Sequence, residues 1–130
     1  MSAGILNIDL EQGVTWDYTL TVYEYDEDNP PSFEGDIRPL TGYTARAQIR
    51  KKKSSADFQV ELTTENGGIT LGGVLGTADL HITAAQAALL RSDGVWDSEL
   101  VITVDDEVVV ERVVQGDVSL DKEVTKENAQ

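Results

Sequence analysis

Apolar and polar residues alternate along most of this chain, and a period of two places successive side chains on opposite faces of a strand. Leu6, Ile8 and Leu10 alternate with Asn7, Asp9 and Glu11, which predicts a first short strand stopping near Gly13. Trp16, Tyr18, Leu20 and Val22 share one face of a second strand, with Asp17, Thr19 and Thr21 on the other. The pattern breaks at Asp26–Pro31, where two prolines remove backbone donors, and a long exposed loop reaching Pro39 is expected. Tyr43, Ala45, Ala47 and Ile49 then restore the alternation, with Thr44, Arg46, Gln48 and Arg50 turned outward. Lys51–Ser55 reads as a polar turn, and Phe58, Val60 and Leu62 as the returning strand of a hairpin with three lysines at its tip.

Asn66-Gly67-Gly68 is a strong turn signal, since Asn and Gly tolerate positive φ, and Gly72, Gly73 and Gly76 repeat it among short strands that end with Leu80 and Ile82. Thr83-Ala84-Ala85-Gln86 fits a capping box opening one short helix. Trp96, Leu100, Ile102 and Val104 line one face of the next strand. Asp105-Asp106 turns it into a second hairpin with Val108–Val114, and Gln115-Gly116 is expected to bend or bulge the chain into a last strand near Val118–Leu120. Large buried areas are expected from Trp16 and Trp96. Eight or nine short strands and one brief helix predict an all-β fold, an antiparallel β-sandwich or a small barrel, with the sandwich favoured. Residues 1–121 are expected to form its single domain and 122–130 a polar C-terminal tail.

Composition narrows the function. The chain has 130 residues, the length of one domain at about 100 to 200 residues each. Ten Lys+Arg against 24 Asp+Glu give a net charge of −14, which disfavours nucleic acid as a partner. With no cysteine there is neither a disulfide framework nor a thiolate site. No apolar run approaches the roughly 18 to 20 residues that cross a bilayer, and the first residues lack the basic start of a signal peptide, so a soluble protein without a membrane partner is expected.

Candidate chemistry is sparse. His81 is the single histidine and falls on the polar face of its strand, which excludes a cluster of histidine ligands. None of the serines lies in a Gly-x-Ser-x-Gly elbow, so no catalytic residue is assigned. Asp26, Asp28 and Asn29 offer hard oxygen ligands but lack the glycine and distal glutamate of a calcium loop, and neither metal nor cofactor is expected. The most polarised feature is a hairpin holding Arg46, Arg50, Lys51, Lys52 and Lys53, half of all the basic residues. Lysines at an exposed tip discourage edge aggregation, and they also suit docking onto an acidic surface of an adjacent copy or partner. The acidic loop, with Asp26, Glu27 and Asp28 flanked by the aromatic Tyr25 and Phe33, is the second candidate protein interface.

Several segments in a fixed order resemble a domain common among small structural proteins of tailed bacteriophages, including the N-terminal domains of baseplate upper proteins. They are Leu10-Glu11-Gln12-Gly13-Val14-Thr15-Trp16, Leu40-Thr41-Gly42-Tyr43-Thr44-Ala45-Arg46 with Gln48-Ile49-Arg50, and Leu62 through Leu71. Gly94 through Leu100, Val113 through Val118 and Glu123-Val124-Thr125 complete the set. The resemblance implies an immunoglobulin-like sandwich without enzyme activity. It would be made in the host cytoplasm and built into the virion in several copies, as a tail, baseplate or tail-fibre adaptor touching other virion proteins and copies of itself. The alternatives are a capsid decoration or collar protein, and a host-surface module binding glycans through Tyr23, Tyr25 or Phe33. An acidic DNA mimic is a third class, against which the basic hairpin counts.

Overall fold

The computed structural model describes residues 4–23 and 37–122. Among them the strands are β1 (Gly4–Ile5), β2 (Ile8–Glu11), β3 (Trp16–Thr21), β4 (Thr44–Arg50), β5 (Val60–Thr63), β6 (Ile69–Leu71), β7 (Thr77–Ile82), β8 (Gly94–Val104) and β9 (Glu107–Asp121). One helix, α1 (Ala84–Ala88), and a 3-10 turn at Gly73–Leu75 complete the elements. The strands form two sheets, as the alternation predicts. In the larger, β9, β8, β4 and β5 lie in that order, with β1 and β2 both attached to the outer edge of β9; the smaller runs β3-β7-β6.

Every pairing is antiparallel except those of β1 and β2, which run parallel to β9. A tight hairpin imposes antiparallel pairing, but strands from opposite ends of the chain carry no such constraint. The two antiparallel-rich sheets give the sandwich class that the alternation predicts.

The core lies between the sheets. Leu10, Ala47, Ile49, Leu62, Trp96, Leu100 and Val118 from the larger sheet meet Ile69, Leu80 and Ile82 from the smaller, with Leu40 and Leu90 closing the ends. All are buried, and they form one cluster. Local signals behave as expected where the chain reverses. Tyr43 N–H donates to the Leu40 carbonyl at 3.1 Å across a turn in which Gly42 adopts φ of 87°, a conformation costly for residues with a Cβ. The Thr83 hydroxyl accepts from Gln86 N–H while the Gln86 side chain accepts from Thr83 N–H, so the capping box is made on both sides. Asn66 Oδ1 accepts from both Thr63 N–H and Gly68 N–H. That turn joins no hairpin, because β5 and β6 lie in different sheets; it carries the chain across the sandwich.

Four local expectations are corrected. Trp16 is only partly buried and stacks on Tyr18, ring centroids 5.9 Å apart, because β3 is the outer strand of its sheet and its inward side chains lie at the rim. Phe58 is exposed and precedes β5, which starts at Val60, so the turn after β4 is longer than its polar residues suggest. The C-terminal strand is continuous from Glu107 to Asp121, and its register break lies opposite Ser98/Glu99, where Val113 is the extra residue. Gly116 therefore makes no bulge. It faces Trp96 across the ladder, and a Cβ there would lie 2.0 Å from the Leu6 carbonyl oxygen, so glycine allows the N-terminal segment to pass close by. The expected acidic loop lies largely outside the described residues, as does the tail from residue 123 onward.

Candidate functional site

Three surfaces carry the side chains able to act. The first is the outer face of the larger sheet, where alternation turns Arg46, Gln48 and Arg50 of β4 toward solvent beside Asp97 and Glu99 of β8. Register pairs Arg46 with Glu99, and Arg46 Nε lies 2.7 Å from Glu99 Oε1. Arg112 Nε approaches Asp97 Oδ2 at 3.4 Å, Gln48 Nε2 donates to Glu61 Oε2 at 2.7 Å, and Arg50 Nη2 donates to Gln48 Oε1 at 2.6 Å. These groups line a shallow groove of about 660 Å³. Opposite charges interleave there and engage one another, so the face is a hydrated polar lattice rather than a cluster of one sign.

The second surface is the β4–β5 tip. Arg50 does not dock outward; its Nη1 donates to the Ser55 carbonyl at 2.9 Å and braces the turn that Lys52 and Ser55 close through paired backbone and side-chain bonds. Of the five basic candidates, Arg46 is thus neutralised by Glu99 and Arg50 is engaged in holding the loop. Lys51, Lys52 and Lys53 remain exposed and make no ion pair among the described residues. The other interface candidates, Tyr25, Asp26, Glu27, Asp28 and Phe33, lie outside the described residues.

The third surface was not singled out by the sequence. Beyond Leu100 the β8–β9 hairpin projects past the sandwich, and the two-residue turn Asp105-Asp106 closes it with φ of 52° and 65°. Both values belong to a type I′ turn, whose twist matches that of the flanking strands. Val104, Val108, Val109 and Val110 are 49%, 62%, 42% and 45% exposed. The available signal was the run Val108-Val109-Val110, which abandons alternation and makes both faces of one strand apolar. At the base of this arm Arg38 Nη1 reaches both Glu111 carboxylate oxygens, at 2.8 and 3.0 Å, and Nη2 donates to the Tyr43 hydroxyl at 2.7 Å. Burial disfavours the Arg38 cation, but the hydrogen bonds to Tyr43 and Glu111 and the attraction of their charges outweigh it and raise its pKa above the usual guanidinium value. The arm is therefore tied at its root while its tip carries Asp105, Asp106 and Glu107 into solvent.

Elsewhere, His81 Nδ1 meets Asp17 Oδ1 at 2.5 Å on the exposed face of the smaller sheet, where register sets them opposite. A second crevice, of about 510 Å³, runs between Trp16 and the ends of β2 and β9 and is bordered by Asp9, Glu11 and Asp121. Among the described residues no group of three or more His, Cys, Asp or Glu is placed to hold a metal ion. No helix among them is long and apolar enough to cross a membrane. No protein-family model matches this chain, and no curated protein matches it in sequence.

Proposed function

We propose that this protein is a non-enzymatic structural component of a tailed-bacteriophage virion, a tail, baseplate or tail-fibre adaptor present in several copies. The observation that carries the assembly role is the β8–β9 arm, a root-anchored hairpin that exposes four valines beyond the sandwich. Exposed apolar groups of that kind mark protein contacts more than solvent-facing structure. The phage setting is supported by the ordered segments from Leu10 to Thr125 described above. The free lysines of the β4–β5 tip lie at the end of β4 away from the arm, so each copy presents a basic end and an acidic-tipped one. Such complementarity orients neighbours more than it tightens them.

Immunogold labelling of virions from a phage encoding the chain is expected to mark the tail or baseplate. Signal over the head or neck would move the role to decoration or collar, and unlabelled virions would refute it. Replacing Lys51, Lys52 and Lys53 with glutamate is expected to lower incorporation into virions. The folded state should change by less than about 0.5 kcal/mol, as is usual at exposed positions, which thermal unfolding of the purified variant checks.

A further inference from the structure

Among the described residues the outer edge of β9 is only partly covered. β1 pairs with Val114 and Gln115, Leu6 N–H donates to the Gln115 carbonyl, and β2 pairs with Val118 through Asp121. The parallel register of β1 brings Gly4 N–H to the Val113 carbonyl, and from Glu107 to Arg112 no strand among the described residues lies against that edge. In a hairpin with a two-residue turn the flanking pair, here Val104 and Glu107, is hydrogen-bonded, and bonded and non-bonded pairs alternate from there. Val108, Val110 and Arg112 accordingly turn their N–H and C=O groups outward. Proteins blunt such an edge with charged side chains, proline or bulges, and here Glu107, Glu111, Arg112 and the bulge at Val113 leave only Val108–Val110 apolar between them. This one reads Glu-Val-Val-Val-Glu-Arg-Val.

We infer that a second copy of this chain adds its own β9 to this edge, antiparallel, about a twofold axis through Val110. Val110 is the middle one of the three residues that turn their backbone groups outward, so an axis through it pairs all three with their counterparts. Charge selects the same register. Centred on Val110, Val110 faces its counterpart, Val108 faces Arg112, Val109 faces Glu111 and Glu107 faces Val113, and no acid opposes an acid. Moving the axis to Val109 sets Glu107 against Glu111, and moving it to Glu111 sets that residue against itself; like charges directly opposite destabilise a ladder. Centring on Arg112 runs Val110 into the position of β1. The favoured arrangement joins the two larger sheets into one, with hydrogen bonds at three outward-facing pairs and the valines packed across the seam. Like other twofold contacts it is self-complementary and closes on itself, so it ends at a dimer rather than a fibre.

The chain has no cysteine, so a single introduced one reports the register directly. Val110→Cys under mild oxidation is expected to give a disulfide-linked dimer on a non-reducing gel, since paired residues lie within disulfide reach. Val108→Cys should not, whereas Val108→Cys combined with Arg112→Cys should. Sedimentation velocity of the unmodified chain should show a monomer–dimer equilibrium, and Val110→Lys should raise its dissociation constant at least about tenfold. A chain that remains monomeric up to millimolar concentration, or equal cross-linking of the two single-cysteine variants, would overturn the dimer. In the first case the edge is left for a strand of another protein. The dimer rests on the assembly role proposed above but fails separately from it: a monomer in solution leaves virion labelling untouched, and unlabelled virions leave the dissociation constant measurable.

Discussion

Gly116 shows how much one residue can hold here. The Leu6 carbonyl that would collide with a Cβ at this position also accepts a hydrogen bond from Trp96 Nε1 at 2.8 Å, and Asn7 Oδ1 accepts from Asp117 N–H at 2.9 Å. The first and last strands are thus fastened at one node, against the largest side chain of the core. Replacing Gly116 with alanine forces the Leu6–Asn7 segment outward and weakens both bonds. We expect a loss of about 3 kcal/mol, at the upper end of overpacking effects, read as a lower urea midpoint at unchanged slope. The residue was legible as special but not for its reason. A glycine after glutamine inside an apolar run signals a bulge or a close approach equally well, and only the path of residues 110 positions earlier in the chain decides between them.

At the scale of elements, the β8–β9 hairpin separates what is local from what is not. Its turn was legible, since two acidic residues between apolar runs can reverse a chain. Its projection was not, because Ile102 and Val104 continue the inward phase of Trp96 and Leu100 with nothing in the sequence to mark where the opposing sheet ends. Asp105 and Asp106 both occupy positive φ, which costs an L-residue about 1 to 2 kcal/mol where no local hydrogen bond compensates. The substitutions Asp105→Asn and Asp106→Gly supply the residues this turn prefers. They are expected to stabilise the arm locally by about 1 kcal/mol, slowing amide exchange in Val104–Val109 roughly fivefold while the global unfolding midpoint moves little. The β4–β5 hairpin divides in the same way. Its pairing follows from alternation, yet Arg46 and Arg50 leave the basic cluster because Glu99 and Ser55 are brought to them from outside the strand.

For the whole molecule, a charge of −14 opposes the close approach of two copies, whereas the contact at the β9 edge is apolar and main-chain in character. Raising the salt shortens the screening length from about 10 Å at 0.1 M to about 3 Å at 1 M and removes that repulsion. The β9 dimer should therefore tighten with added sodium chloride, as measured by sedimentation. A contact between Lys51–Lys53 and the acidic arm tip would loosen under the same conditions. The sign of the salt dependence tells the two interfaces apart, and weakening with salt in solution would assign the association to the lysine tip.

The amino-acid order by itself determined the all-β class, the inward and outward faces of most strands, the helix with its cap, and the turns at Gly42, Asn66 and Asp105. Each depends on neighbours a few residues apart, through period-two alternation or the backbone preferences of Gly, Asn and Thr. Tertiary structure alone decided the parallel attachment of β1 and β2 to β9, the rim position of Trp16, the neutralisation of Arg46, and the edge from Glu107 to Arg112 against which no described strand lies. These depend on which surfaces from remote parts of the chain come together. A strand carries the pattern of its own two faces, but nothing in that pattern states what lies against its edges.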